Sequence, residues 1–588
     1  MKKYANQYFK LYHKSSPLKK AFFWGGISLV LLVLLIFIAG IILQGLLPAR
    51  IKKAISERSH HVYKISFDDM QLSIFRGSIL LNDMELVPDT SAYFRLDSLN
   101  RPSSLFQIKA DHIEISGVDI VKLVFSKKPD IGHIGILNPG IVLMDMGGKK
   151  RKKEGSLYEQ LPPVLKGARI GRIDVKTLSF QKTHYREPSK NSGRLTGLTF
   201  QVTDLFLDSA RTRDSLYTWF AQDIRLASKN LSYFSADSLY EFKVKAIRGS
   251  TKDKVMKIDS FRVIPQYPEM EFSRRLGKQG DRYQMVFGRI AAFDIHFKQL
   301  ELESRLFFRS LVLQGNSIKV FRNKAIPEIK IDKTLNFPHV AFKRLKLPLT
   351  SDTVMIKDTR VSYKEFNPKS GKAGTVFFTD LNGTLLNVSN DSIRWKKDHW
   401  CRSTFTANFL GKPRLELILN LDLSDKEASF NYKGTLGQAP AQLYNQLFEP
   451  LALAKADSGT IHKTTFDVKA NRYGSNAAVS MRYSNLKISI LGKTTDKGDV
   501  DEKDKKTAVG RFITGIFGSG KESDEDTLER KDMVSLLANI VIETDNPSKG
   551  EEVRTAVIDY QHPRDKSFFN LMWKSIFTGL KGNVGVPL

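Results

Sequence analysis

Cysteine is nearly absent: Cys401 is the single one in 588 residues. That excludes an intramolecular disulfide and any zinc site built on cysteine pairs, and Cys401 lies too far from the N-terminus to be a lipoprotein anchor. The compartment stays open, because disulfides are optional even in an oxidising space. The 11 histidines offer as little, with no H-E-x-x-H or other ligand pair among them. His60 and His61 are adjacent, so on one strand or helix they point apart. There is no G-x-S-x-G elbow and no G-x-G-x-x-G between a strand and a helix. Acidic residues are scattered rather than clustered. We therefore expect no enzyme, no catalytic residues, no metal and no cofactor.

One apparent catalytic motif fails on inspection. Gly515-Ile-Phe-Gly-Ser-Gly520-Lys521 has the spacing of a phosphate-binding loop, but Glu522 stands where Ser or Thr must hold magnesium. A buried strand should precede such a loop. An amphipathic segment precedes this one and an acidic stretch follows it.

A second long hydrophobic run is also lacking. The one present, Ala21 to Leu47, carries no charge and exceeds the roughly 20 apolar residues a spanning helix needs. The following Pro48-Ala49-Arg50-Ile51-Lys52-Lys53 offers no small-residue cleavage site, so the run reads as a permanent anchor. Six lysines precede it (Lys2, Lys3, Lys10, Lys14, Lys19, Lys20), and Arg50, Lys52, Lys53 and Arg58 follow. This bias favours a cytoplasmic N-terminus. The formal net charge of +30 implies affinity for anionic surfaces, either nucleic acid or acidic lipid. The anchor favours lipid, and no nucleic-acid-binding signature is present.

Helical periodicity is scarce too. From about Val62 to Leu491 the dominant period is two. In Arg414 to Ser424, Leu415, Leu417, Leu419, Leu421 and Leu423 fall on one face of a strand, and Glu416, Asn420, Asp422 and Ser424 on the other, with Ile418 the exception. Phe293, Ile295 and Phe297 alternate with Asp294, His296 and Lys298. Tyr63, Ile65 and Phe67, then Ile113 and Ile115, then Leu198, Phe200 and Val202 repeat the pattern. Turn signals stand at Arg76-Gly77-Ser78, Ser116-Gly117, Asn138-Pro139-Gly140, Gln314-Gly315-Asn316 and Asn382-Gly383. Helices are expected only over Arg50–Ser59, over Pro440–Ala454 with Pro450 interrupting, and in two amphipathic stretches near the C-terminus. The apolar face of so much sheet must be covered by a second sheet or by something that is not protein.

The first amphipathic stretch places Val509, Phe512, Ile513, Ile516 and Phe517 on one helical face, between the charged ends of a linker over 493–532. The second, Phe568 to Lys581, presents Phe569, Met572, Trp573, Ile576, Phe577 and Leu580. Each can pack on the end of the sheet or lie at a membrane or partner, with Phe569, Trp573 and Phe577 the docking candidates. Gly147 to Gly155, GGKKRKKEG, is a basic loop that is either a solvated turn or a head-group contact.

The run KISFDDMQLSIFRGSILLNDMELVPD (Lys64 to Asp89), with its Gly turn and its Asn82-Asp83-Met84-Glu85-Leu86, resembles the opening of AsmA-like proteins. Phe430 to Asn471, with Leu443, Asn445, Pro450 and Ser458-Gly459, resembles a late AsmA-like segment. The tail from Arg564 through Trp573 to Gly579 looks like the ending of members from Bacteroidetes-type bacteria. Together these cover about a quarter of the chain. The resemblance implies a repeating β-groove: a long twisted antiparallel sheet curled around an apolar face, anchored in the inner membrane and projecting into the periplasm. It implies phospholipid transfer between inner and outer membranes, supporting outer-membrane biogenesis, with an outer-membrane or periplasmic protein as a further partner. No catalytic residue is carried over. On this reading 1–20 is a cytoplasmic tail, 21–47 the transmembrane helix, 48–492 the β-groove, 493–532 the linker, and 533–588 C-terminal strands and helix. The leucines 415 to 423 and Phe293, Ile295 and Phe297 would line the groove. The alternative is a non-enzymatic periplasmic scaffold or regulator of outer-membrane assembly, in which the same residues form a closed core.

Overall fold

The computed structural model describes residues 47–73, 77–97, 101–119, 122, 128–147, 158–159, 166–186, 194–235, 237–368, 370–452, 454–490, 540–544 and 554–583. The protein is mainly β, and its strands belong to one long mixed sheet. The chain separates into two compact units. Residues 1–266, 288–311 and 346–349 make the first, and 267–287, 312–345 and 350–588 the second.

In the first unit a helix, α1 (Leu47–Arg58), leads into β1 (Tyr63–Ser66), β2 (Asp69–Ser73), β3 (Ser78–Pro88) and β4 (Ser104–Val118). Both β1 and β2 pair with β3, and β3 pairs with β4, all antiparallel. β5 (Asp130–Leu137) and β6 (Gly140–Asp145) follow. They lie along β4 in one unbroken register, His112 opposite Leu137 and Lys109 opposite Gly140. The turn expected at Asn138-Pro139-Gly140 is therefore a local bend, with Asn138 left-handed, in a path that continues along β4. Its backbone stays in the ladder: Asn138 N–H donates to the Lys176 carbonyl, and Ser179 N–H donates to that of Pro139.

β7 (Arg169–His184) runs parallel to both β5 and β6, so the sheet is mixed where an antiparallel one was expected. A parallel neighbour needs a crossover of a dozen or more residues. Residues 146–168 supply it, and the basic loop falls within this connection, outside the described residues beyond Gly147. β8 (Arg194–Phe206), β9 (Ala221–Phe234), β10 (Tyr240–Ser250) and β11 (Val255–Pro265) complete an antiparallel meander from β7. β12 (Asp281–Ile295), β13 (Leu306–Asn323) and β14 (Leu349–Asn367) follow in sequence.

The second unit continues with β15 (Lys372–Ser389), β16 (Trp400–Phe409), β17 (Arg414–Asp422), β18 (Phe430–Leu436), the two-residue β19 (Ala439–Pro440), β20 (Ala454–Ala470), β21 (Gly474–Ile490), β22 (Ile540–Thr544) and β23 (Arg554–Gln561). The order β14-β15-β16-β17-β18-β20-β21-β23 is antiparallel throughout. Three of its helices matter below: α2 (Pro338–Lys343), α3 (Asn445–Ala452) and α4 (Phe568–Asn583). The helices expected near residues 50, 440 and 568 are thus present.

The strands are not uniformly extended. Left-handed backbone recurs in mid-strand at Asp83, Thr177, Asp204, Asn230, Ser260, Asp358, Asp380 and Asn485, and at Gly117, Gly197, Gly315 and Gly459. Such residues make bulges, which bend a strand and re-aim its side chains. Their effect on the core is direct. In β3 the buried residues are Ile79 and Leu81 before Asp83, then Met84 and Leu86 after it. In β7, past Ile170 at its start, they are Ile173 and Val175 before Thr177, then Leu178 and Phe180. The bulge flips the odd–even pattern and so keeps one face apolar. Short polar side chains take up freed backbone and side-chain groups nearby. Asn316 donates to the Thr359 hydroxyl at 2.7 Å, Asp358 N–H donates to Asn382 Oδ1 at 3.1 Å, and Asn408 donates to Asp380 at 2.8 Å. The turns expected at 314–316 and 382–383 are these mid-strand features of β13 and β15, and Ser116-Gly117 lies inside β4.

Candidate functional site

The apolar face of the sheet is the most extended surface that the strands build. In the first unit its closed part spans β3 to β7. Leu81, Ile113, Ile115, Ile131 and Ile134 are wholly inaccessible, and Ile51 of α1 joins the same core. Branched aliphatics dominate because they fill a pleated surface without polar atoms.

From β8 to β11 the face changes character. Phe200, Val202, Leu226, Tyr233, Phe242, Val244, Met256, Ile258, Phe261 and Val263 are all half-buried, neither in a dry core nor free in water. Register partners keep them together: Phe200 faces Leu226, and Phe242 faces Tyr233 on one side and Val263 on the other. Rings cover rings. Phe242 lies 5.9 Å from Tyr233 and 6.4 Å from Phe261, the latter nearly parallel. Gly249 leaves room for the Met256 thioether, which would stand 2.8 Å from an added Cβ.

The expected trio Phe293, Ile295 and Phe297 does not form one lining row. Asp294 is left-handed, β12 ends at Ile295, and Phe297 begins a short helix, Phe297–Glu303. Ile295 is buried, while Phe293 is exposed with the Lys257 ammonium 5.8 Å from its ring centre. Period-two reading fails here because one left-handed residue breaks the alternation.

In the second unit the leucine ladder lies on β17 and just beyond it, as its spacing predicts. Leu415 faces Ala407 and Leu436, Leu417 faces Phe405 and Gly434, Leu419 faces Ser403 and Tyr432, and Leu421 faces Cys401 and Phe430. Ile418 points the other way and is exposed. Burial is graded along the ladder: Leu415, Leu417 and Leu419 are half-buried, Leu421 is 8% exposed and Leu423 2%. Glycines let aromatic rings lie flat across this face. A Cβ at Gly383 would meet the Phe405 ring at 2.3 Å, and one at Gly434 would meet Phe466 at 2.7 Å.

Three helices border the face. α4 lies over β21 and β23. Phe568, Leu571 and Ser575 are its buried stripe, at helical spacing. The Tyr432 hydroxyl donates to the Met572 carbonyl at 2.9 Å, Ser475 and Ser575 share a 2.6 Å hydrogen bond, and a Cβ at Gly579 would stand 2.5 Å from Val479. Of the expected docking residues, Phe569 is 73% exposed and Trp573 38%. Phe577 is half-buried and stacks on Trp573 at 5.8 Å. Beside the start of α4, Phe337 is fully buried among Phe430, Phe568, His339 and His562. α3 packs against β15 and β20, closing a small core of Phe409, Tyr444 and Leu447. Asn445 ties it down: its amide accepts from Ala456 N–H at 2.7 Å and donates to the Ala456 carbonyl at 2.9 Å.

Cys401 is buried, and burial pushes its thiol up to about 11. It is a core residue of the ladder's neighbour strand rather than a nucleophile. Among the described residues no cluster of three or more His, Cys, Asp or Glu could hold a metal, and no helix is long and apolar enough to cross a membrane. The hydrophobic run 21–47 up to Leu46, the loop at 515–522 and the amphipathic stretch at 509–517 lie outside the described residues. No family model matches the chain, and no curated protein matches it.

Proposed function

We propose that this protein moves phospholipids along the apolar face of its sheet, anchored in a bacterial inner membrane by the segment 21–47 with its body in the periplasm, and that it has no catalytic activity. The observation that carries this is the half-buried run from β8 to β11. Around a dozen apolar side chains there are packed against one another, yet retain access to solvent. Each acyl methylene taken up by such a face gains about 0.8 kcal/mol. Apolar contacts are non-directional, so a bound chain can slide without breaking hydrogen bonds. The half-buried Leu415, Leu417 and Leu419 offer the same chemistry in the second unit. The route outward would end on an outer-membrane or periplasmic partner.

A photo-crosslinking residue placed at Val244, at Leu417 and at the inaccessible Ile113 tests it in cells. Lipid adducts at Val244 and Leu417, with none at Ile113, are expected. Absence of lipid at both open positions refutes the reading. One observation favours the scaffold alternative: α4 covers part of the apolar face with protein, as a closed core would. Lipid adducts confined to the surface of α4 would support it.

A further inference from the structure

On the second unit's sheet, the face opposite the leucine ladder carries a hollow of about 560 Å³ lined by Trp400, Asn431, Lys469, Tyr473, Asn476 and Asp559. We propose that this hollow binds a pyranose oligosaccharide. The strand register builds it. Asn420 pairs with Asn431, Asn431 with Lys469, Lys469 with Asn476, and Asn476 with Asp559, so five polar side chains stand in one row across five adjacent strands. Alternation sends them away from Leu421, Tyr432, Val468, Ala477 and Ile558.

Asparagine is disfavoured in strands, and three in one row work against the sheet that holds them. The internal pairing uses little of their capacity: Asn420 donates to Asn431 Oδ1 at 2.9 Å. Asn476 and Asp559 are exposed, so their amide and carboxylate face the hollow with donors and acceptors to offer. A sugar hydroxyl is donor and acceptor at once, and neighbouring hydroxyls present both at short spacing. Amide and carboxylate side chains match that pattern. Lys469 and Asp559 oppose each other in sign, which disfavours phosphate, sulfate or a free cation as the occupant. Aromatic rings flank the row. Trp400 lies on the same face, two residues before Arg402, whose register partner is Asn420. Tyr473 is 47% exposed at the β20–β21 hairpin, with the Arg564 guanidinium 5.6 Å from its ring. Such rings take the C–H face of a pyranose as they take other apolar surfaces. The volume falls within the ~300–1,000 Å³ typical of small-ligand sites.

This site lies on the polar face, so it stands or falls independently of the lipid reading. Titration calorimetry of the full chain in detergent, with chitotetraose, maltotetraose and inorganic phosphate as probes, tests it. At least one tetrasaccharide is expected to bind and phosphate is not. Asn476→Ala combined with Asp559→Ala removes two exposed partners without touching the core. It should weaken sugar binding by about tenfold, as the loss of two hydrogen bonds implies. Trp400→Ala should weaken it comparably. The proposal is overturned if neither tetrasaccharide binds, if phosphate competes, or if the Asn476/Asp559 double variant binds as tightly as the parent.

Discussion

Acid should weaken the second unit through one buried imidazole. His339 on α2 is 2% exposed. Its ring lies 6.4 Å from Phe337, 6.3 Å from Phe430 and 6.4 Å from Phe568, and neither ring nitrogen has a well-aligned hydrogen bond. Burial pushes its pKa from 6.5 down to about 4. Lys343 acts in the same direction, while the Ala428 backbone, Asp422 and Asp425 oppose it. A base whose folded pKa is depressed binds more protons unfolded than folded between those two values. Stability is therefore complete above pH 6.5 and falls as the pH drops toward 4. At 1.36 kcal/mol for each tenfold change in proton affinity, the loss by pH 4 is about 3 kcal/mol. His562, also lowered by burial, adds in the same direction. Urea unfolding of the parent and of His339→Phe at a series of pH values from 7 to 4 measures it. The variant keeps an aromatic ring at the site and removes the proton site, so its midpoint should fall by much less. Equal slopes for the two proteins refute the reasoning.

Cys401 should resist thiol reagents at pH 8 in the native protein and react promptly in denaturant, because its thiol is buried and raised to about 11. Gly434→Ala should destabilise by about 1–3 kcal/mol on denaturant unfolding, since the new methyl would stand 2.3 Å from the Glu416 carbonyl oxygen, a backbone atom with little room to move. Leu571→Ala should cost about 2–5 kcal/mol, because Leu571 is wholly inaccessible on the buried side of α4. Phe569→Glu with Trp573→Glu, both exposed, should leave the melting temperature of the body unchanged and reduce co-sedimentation with anionic vesicles; unchanged co-sedimentation would remove α4 as a membrane contact.

The leucine ladder was fully legible because no left-handed residue falls between Arg414 and Asp422. Nine residues in regular alternation put four leucines on the apolar face, and Leu423 follows just beyond the strand. The same reasoning failed at Phe297, three residues past Asp294, because period two holds only between bulges. It failed at 314–316 and 382–383 for a related reason. Gly, Asn and Asp make turns by tolerating left-handed backbone or by bonding locally, and those properties also serve a bulge. What separates the two is the parity of the flanking apolar residues. Val354 and Ile356, even-numbered, pair with Leu385 and Gly383, and past Asp358 it is Val361 and Tyr363 that pair with Phe378 and Val376. An Asp, Asn or Gly at which the apolar parity switches is a bulge signal that a single sequence does contain. The parallel placement of β7 had no such signal. It depends on a crossover whose length alone, residues 146–168, permits either direction.

The graded burial of the apolar face follows from composition as well as from what packs on it. Isoleucine and valine fill the closed rows of β4 to β7, where dry contact on all sides favours stiff branched side chains. In β9 to β11 the rows carry Tyr233, Phe242, Phe261 and Met256, long side chains that shield one another sideways while the outer edge stays accessible. A face built to be sealed by protein has no need of that lateral cover. A face that must stay folded while empty, and still accept apolar guests, does. On the proposed lipid reading, stacked rings would keep the sheet from collapsing onto itself when empty, and a thioether beside Gly249 could shift when a chain enters. The bulges also preserve that face. By resetting parity they let strands of up to 19 residues, as in β14, hold one apolar face along their length. Without them, as the strand bends, each strand would turn its hydrophobic residues into water partway along.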